Sequence, residues 1–448
     1  MSSVRRAFYY VISLVTLSVM AAGVGTLLYL ALNLLISGDA ARLPDNFTGQ
    51  HLALGLAELI IAAPIWFFFW RSLQRQVQGR DSEIGSSLRQ IYLNLILTVT
   101  ALVSLFMSSS VLVWLMGGAG RQENASGSLA ALIVVVALWF YHWRVADREG
   151  RPSPAARTLR RWYVYIVSAW GLVWLVVGLV QVIYGAAVYL SGTSSALIRG
   201  TFWTDNMRTF ASWLILGGLW WGHHWFRLAK GDVDSTLRQV YIYLLAIVGG
   251  SVAGLIALVF SLERLLARAL NNPDISYYDY YKFLGWTLPL MVISLGIVVY
   301  HQTVSQEEAG LLQERRLSSR RVHLYILSFL GLGALVAGIL ILLNIPFGLP
   351  LVNGADWWKN SLSVGIALLL VAIPLFWYYW RRILALAQSG VTEWKARSRR
   401  IYFYLIIVAS VLGLVGGLVN LIYQFLNGAL TGVPGLQSYR NAIVSFQS

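Results

Sequence analysis

Long apolar runs alternate with short polar stretches along the whole chain. Eleven runs of mostly apolar residues stand at about 7–35, 52–70, 91–116, 128–143, 162–190, 209–226, 240–266, 283–301, 322–346, 361–380 and 401–427. A bilayer crossing needs roughly 20 apolar residues in a helix, and several runs exceed that, so they tilt or project into the headgroup layer. The pattern predicts an all-α fold class: a polytopic integral membrane protein of eleven transmembrane helices, paired as hairpins. Composition supports it, because charged residues are 12% and hydrophobic residues 58% of the 448, whereas soluble domains carry about 25% charged residues.

The polar positions repeat. Residues 86–95 read SSLRQIYLNL and residues 235–244 read STLRQVYIYL. Every odd-numbered run opens on an arginine: Arg5, Arg89, Arg160, Arg238, Arg320 and Arg399. A ring follows three residues later, at Phe8, Tyr92, Tyr163, Tyr241, His323 and Tyr402. The first, third and fifth hairpins begin Arg-Arg and carry Ser13, Ser168 and Ser328, whereas the second and fourth carry Leu-Arg-Gln. The period is therefore four helices, and the chain divides into three units, 1–156, 157–316 and 317–448. An even number of spans per unit makes these parallel repeats about an axis near the membrane normal. The third unit has only three helices, so either the C-terminus lies outside the membrane or the sequence is truncated before a twelfth.

Even-numbered runs close on aromatic clusters: WFFFWR at 66–71, WFYHWR at 139–144, WGHHWFR at 221–227 and FWYYWR at 376–381. Units that open Arg160, Tyr163, Tyr165, Ser168, with a helix that ends Trp139, His142, Trp143, Arg144, resemble a bacterial family of small polytopic membrane domains of unknown function. The resemblance covers nearly the whole chain. It implies a four-helix membrane domain in three tandem copies and a membrane location, and it implies no activity.

Charge sets the orientation. The N-terminal tail and the segments after even-numbered helices hold 25 of the 34 Lys and Arg, and the net charge of +15 lies entirely on that face. The positive-inside rule makes this face cytoplasmic. The protein is thus expected in the bacterial cytoplasmic membrane, with its N-terminus inside and its C-terminus outside. A basic face of this kind matches anionic phospholipid, and no basic stretch with interleaved aromatics marks a nucleic-acid reader. Arg-Arg at the N-terminus mimics an export signal, but the pair recurs before later helices, so the first helix is expected to stay uncleaved.

The repeated phrase reads as a helix start. Ser87 to Gln90 and Thr236 to Gln239 fit the capping box, with Asp81, Glu83, Asp232 and Asp234 upstream complementing the helix dipole. In this reading the arginines snorkel to headgroups and the tyrosines join the interfacial belt. The functional version makes Arg5, Arg89, Arg160, Arg238, Arg320 and Arg399 candidates for holding lipid headgroups.

Other chemistry is sparse. His142 and His224 occupy matching places, one before the closing Trp, and His301 stands at the Trp place itself; all three are candidates for haem ligation, read mainly as interfacial residues. Glu58 is an intramembrane ionisable group without a counterpart in the other units. Asn94, Gln181, Asn344, Asn420 and Gln424 suit hydrogen bonding between helices, and Pro64 and Pro374 mark a shared bend. Gly171, Gly178, Gly413 and Gly417 permit close helix approach. No catalytic set, metal set or cofactor motif is present, and cysteine is absent. The sequence points to a non-catalytic scaffold or accessory subunit of a membrane complex that binds anionic phospholipid. Two other classes compete with it: a transporter or channel along the pseudo-symmetry axis, and a haem- or quinone-binding redox subunit.

Overall fold

The structure, a computed structural model, describes residues 3–37, 45–77, 84–117, 125–150, 153–190, 202–271, 280–308, 313–348, 356–388 and 397–431. Asp81 and Glu83 lie outside them, and so do the side chains of Arg320 and Gln424. The described residues form helices joined by short connections, without a β-strand among them. In chain order they are α1 Ser3–Ser37, α2 Asp45–Val77, α3 Ser87–Leu115, α4 Ser126–Glu149, α5 Pro154–Leu190, and α6 Asp205–Gly222 with its π-helical continuation His223–Leu228. Then come α7 Thr236–Ala269, α8 Leu284–Glu307, α9 Gln313–Gly348, α10 Trp357–Gln388 and α11 Arg397–Thr431. Each of the eleven apolar runs falls on one of these helices to within a residue. Among the described residues ten helices, all of these except α6, are long and apolar enough to cross a membrane by length and composition.

The chain folds into two compact units, Met1–Ala186 with Leu197–Arg238, and Ala187–Ala196 with Gln239–Ser448. In the first, Tyr10, Leu17, Trp70, Leu73, Tyr92 and Leu93 pack α1, α2 and α3 together. Leu105, Trp174 and Leu216 join α3, α5 and α6. In the second, the Tyr243 hydroxyl on α7 meets the Ser305 hydroxyl on α8 at 2.6 Å. Ser328 on α9 meets the Tyr402 hydroxyl on α11 at 3.0 Å.

Polarity runs from the inside out. Ser13, Ser168 and Ser328, the serines of the Arg-Arg hairpins, are all wholly buried, while Phe67, Phe68, Ile60 and Ile61 are exposed. Small polar residues let helices approach and bond, and large apolar ones face outward, as in helices surrounded by hydrocarbon. Helices approach closely at several glycines. A side chain on Gly23 would press on the Gly55 carbonyl at 2.9 Å, and one on Gly338 would meet the Gly365 carbonyl at 3.2 Å. One on Gly178 would run into the Leu214 backbone. Gly23, Gly178 and Gly338 each stand eighteen residues after the leading arginine of their helix. The expected contact at Gly413 and Gly417 is not made, since both face open space. The helices run unbroken through Pro64 and Pro374.

Helix α6 departs from regular geometry where its sequence does. WGHHWFR carries one residue more than WFYHWR before the closing arginine. The helix takes up that residue as a π turn, His223–Leu228, in which the Ala229 amide donates to the His224 carbonyl at 2.8 Å.

Candidate functional site

The repeated Leu-Arg-Gln phrase forms two interior arginine locks. Arg89 is wholly buried. Its Nε donates to Glu149 Oε2 at 2.8 Å, and Nη2 bonds the other carboxylate oxygen. Nη2 also donates to Gln74 Oε1 at 3.0 Å and Nη1 to the Tyr10 hydroxyl at 3.4 Å, while the guanidinium lies over the Trp70 ring. One side chain thus ties α1, α2, α3 and the end of α4. Arg238 repeats the pattern: it lies over Trp225, beside Tyr165, with Nη1 donating to the Ala229 carbonyl at 2.9 Å. Tyr165 and Trp225 stand 155 residues after Tyr10 and Trp70. Both arginines therefore face the protein interior and not the headgroups, because charged and aromatic partners from other helices satisfy them there. Tyr92 and Tyr241 are likewise buried.

The caps sit one residue earlier than the capping box places them. Ser86 accepts from the Arg89 amide at 3.3 Å, and Ser235 from the Arg238 amide at 3.4 Å. Gln90 Nε2 donates to the Ile84 carbonyl at 3.0 Å and does not reach the cap amide. Asp232 does not serve the dipole of α7. It accepts from Arg161 Nε at 2.8 Å and from the Tyr165 hydroxyl at 2.9 Å.

The histidines are buried among the helices. His142, His224 and His301 are 0%, 5% and 0% exposed. Each pairs with the tyrosine that follows a leading arginine, at ring separations of 5.9 Å for Tyr92–His142, 5.5 Å for Tyr163–His224 and 5.8 Å for Tyr241–His301. Each Nδ1 faces the carbonyl four residues back, at 2.8 to 2.9 Å. That contact makes Nδ1 the protonated nitrogen and leaves Nε2 as an acceptor. His224 Nε2 is then taken by the Tyr163 hydroxyl at 3.1 Å, which itself accepts from Trp139 Nε1 at 3.2 Å. The Trp139–Tyr163–His224 chain is a helix-to-helix lock on the very nitrogen a haem would need. Among the described residues no group of three or more His, Cys, Asp or Glu is placed to hold a metal.

Glu58 packs its Cβ against Gly23 where α1 and α2 cross, and its Oε2 is enclosed without a hydrogen-bond partner. Arg5 is exposed, with Nη2 donating to the Tyr9 hydroxyl at 3.3 Å. Arg399 lies over Phe403.

Arg160 is the leading arginine around which a site forms. Arg157, Arg160 and Arg161 share one face of the first turns of α5, a helix started by Ser153 accepting from the Ala156 amide at 3.1 Å and by Pro154 in the first turn. Opposite them the turn after α6 presents Lys230 and Asp232. Gly231 lies between, at φ +85°, a conformation suited to glycine. These side chains enclose a cavity of about 170 Å³ with four basic groups and one acid. Asp232 is already paired with Arg161. Arg157 and Lys230 have no side-chain partner among the described residues. A second cavity of about 70 Å³ shares Arg160 as a lining residue, with Gln90, Asn94, Trp143 and Asp147. Of these residues the repeat of leading arginines marks Arg160 alone. The Arg157, Arg160, Arg161 spacing was a visible signal, but nothing linked it to Lys230. The second compact unit holds an apolar groove of about 720 Å³ between α7, α9 and α10, with Glu263 and Arg264 at one end.

A chain whose described residues are helical, with this many long apolar helices, is compatible with a multi-pass membrane protein. It belongs to a family defined by a domain of unknown function, DUF5671, whose model matches residues 6–119, 111–198 and 321–446. The family thus recurs in tandem along the chain. No curated protein and no solved structure matches it.

Proposed function

We propose that the chain is a bacterial cytoplasmic-membrane protein that crosses the bilayer eleven times as three tandem four-helix units, 1–156, 157–316 and 317–448. In this reading it is a non-catalytic scaffold or accessory subunit that holds anionic phospholipid headgroups at a positive inner face. The cavity of Arg157, Arg160, Arg161 and Lys230 carries the proposal. It offers forked and point-charge donors to a phosphate, among the segments after even-numbered helices that, with the N-terminal tail, hold 25 of the 34 basic residues. The scaffold role is supported by how the other buried polar groups are spent. Arg89, Glu149, Tyr163 and His224 already bond helix to helix. Every described side chain from 407 to 420 on α11 is exposed, which leaves an apolar helix surface for lipid or a neighbouring protein.

Native mass spectrometry of the wild-type protein and of the Arg157→Gln/Arg160→Gln double variant tests this. The wild type should retain phosphatidylglycerol or cardiolipin, and the variant should lose it. Unaltered retention in the variant would remove the lipid role from this cavity.

A further inference from the structure

We infer that the cavity beyond Arg160 is a polyol subsite, which makes the site selective for a phosphodiester bearing a glycerol headgroup over a bare phosphate. The inference rests on the proposed anion site and identifies its ligand more narrowly.

The two cavities share Arg160 as a wall. On one side stand Arg157, Arg161 and Lys230, all donors. On the other the chemistry inverts to acceptors. Asn94 is 6% exposed. Its Nδ2 donates to the Gln90 carbonyl at 2.8 Å, which turns Oδ1 away from its own helix, and Oδ1 is enclosed without a partner. Asp147 adds a carboxylate from the end of α4, and Gln90 has its Nε2 committed to Ile84, so its Oε1 is the remaining polar atom. A buried carbonyl oxygen left unbonded is costly, so the cavity calls for a ligand that brings hydrogen-bond donors.

Two headgroup classes bring donors next to a phosphate: hydroxyls and ammonium. The surroundings decide between them. Asp147 alone would favour an ammonium, but Arg160 lines the same cavity, and with Arg157, Arg161 and Lys230 the two cavities hold four basic groups against two acids, Asp147 and Asp232. An ammonium would sit in that positive field, whereas hydroxyls are neutral and meet no such repulsion. Size agrees. One water needs roughly 10–15 Å³ of such space, so about 70 Å³ takes a short polyol and no longer chain. Trp143 supplies an apolar wall for the carbon backbone. A phosphatidylglycerol headgroup would place its phosphate on Arg157, Arg160 and Lys230 and donate its hydroxyls to Asn94 Oδ1 and Asp147.

The test is lipid competition on the full-length protein in nanodiscs. Phosphatidylglycerol, phosphatidic acid and phosphatidylethanolamine with identical acyl chains are supplied equally, and native mass spectrometry reads what is retained. The wild type should prefer phosphatidylglycerol over phosphatidic acid. Asn94→Ala should cut that preference by about fivefold while keeping phosphatidic acid, the loss of one or two neutral hydrogen bonds. Asp147 is exposed, so Asp147→Ala should fold normally and give the same direction if Asn94→Ala does not insert. Equal retention of the two anionic lipids by the wild type, or a preference untouched in both variants, would overturn the polyol subsite and leave the anion site standing. A preference for phosphatidylethanolamine would overturn it in favour of an amine. Retention unaffected by Arg157→Gln/Arg160→Gln would instead remove the anion site, and the subsite with it.

Discussion

Arg89, itself wholly buried, grips the partly buried Glu149 with two nitrogens across sixty residues of chain. Breaking a buried pair by removing one partner leaves an uncompensated charge and costs about 3–5 kcal/mol. Arg89→Leu should therefore be strongly destabilising, read as a lower unfolding temperature in detergent. Arg89→Leu/Glu149→Leu should recover much of the loss, since neither charge is then left buried alone. A double variant no better than the single one would show that Gln74, Tyr10 and Trp70 carry the stability of the lock.

The caps give a paired prediction. Ser86→Ala removes the oxygen that accepts from the Arg89 amide and should cost about 1 kcal/mol. Ser87→Ala, one residue on, should be close to neutral. Denaturant titration of the two variants side by side checks the assignment, and reversed magnitudes would restore the capping box at Ser87.

These two cases show where the sequence was legible. The helices were, because an apolar run of bilayer length has few alternatives. The register of arginine and tyrosine was too, because each recurs at the same offset. Burial was not. Arginine and tyrosine at a helix end read as headgroup anchors, and only the fold reveals that Glu149 and Tyr10 meet Arg89 there. The cap was misplaced because two hydroxyl residues stand together in both SSLRQ and STLRQ. With Ser86 as the cap, Gln90 falls one position past the reach of the box. The basic cavity was half legible: Arg157, Arg160 and Arg161 show their common face by spacing, but Lys230 comes from a turn that no local pattern connects to them. Asn94 was visible as a polar residue in a span, though not as one with an oxygen left over.

Tyr163 occupies the middle of a hydrogen-bonded chain between Trp139 and His224. Tyr163→Phe removes both bonds and leaves His224 Nε2 enclosed without a donor. At about 1 kcal/mol for each buried bond, the loss should be about 2 kcal/mol. Thermal unfolding of purified protein measures it, and a variant as stable as wild type would mean that water replaces the hydroxyl.

Glycine substitutions should separate the two kinds of helix contact. Gly178→Ala forces a methyl group into the Leu214 backbone, so α5 and α6 must part, with loss of stability of roughly 1–3 kcal/mol for overpacking. Gly413→Ala meets open space and should be neutral or slightly stabilising, because alanine favours the helix. Equal losses at the two sites would show that α11 is packed against a neighbour in the membrane.

The absence of cysteine from the sequence makes topology directly testable, since a single introduced thiol has no background. Asn46 and Asp205 stand at the starts of α2 and α6, and Arg148 and Arg227 at the ends of α4 and α6, all four exposed. The proposed orientation puts the first pair outside and the second on the positive face within. Arg148 and Arg227 follow even-numbered helices, where the basic excess lies, and the positive-inside rule assigns that side to the cytoplasm. On intact spheroplasts a membrane-impermeant maleimide should label Asn46→Cys and Asp205→Cys. It should reach Arg148→Cys and Arg227→Cys only after the membrane is opened. Asp205 and Arg227 bracket one helix, so their opposite labelling would also establish that α6 crosses the bilayer through its π turn. Labelling of both from the same side would return α6 to a surface helix and reverse the orientation of everything after it, including the turn that carries Lys230.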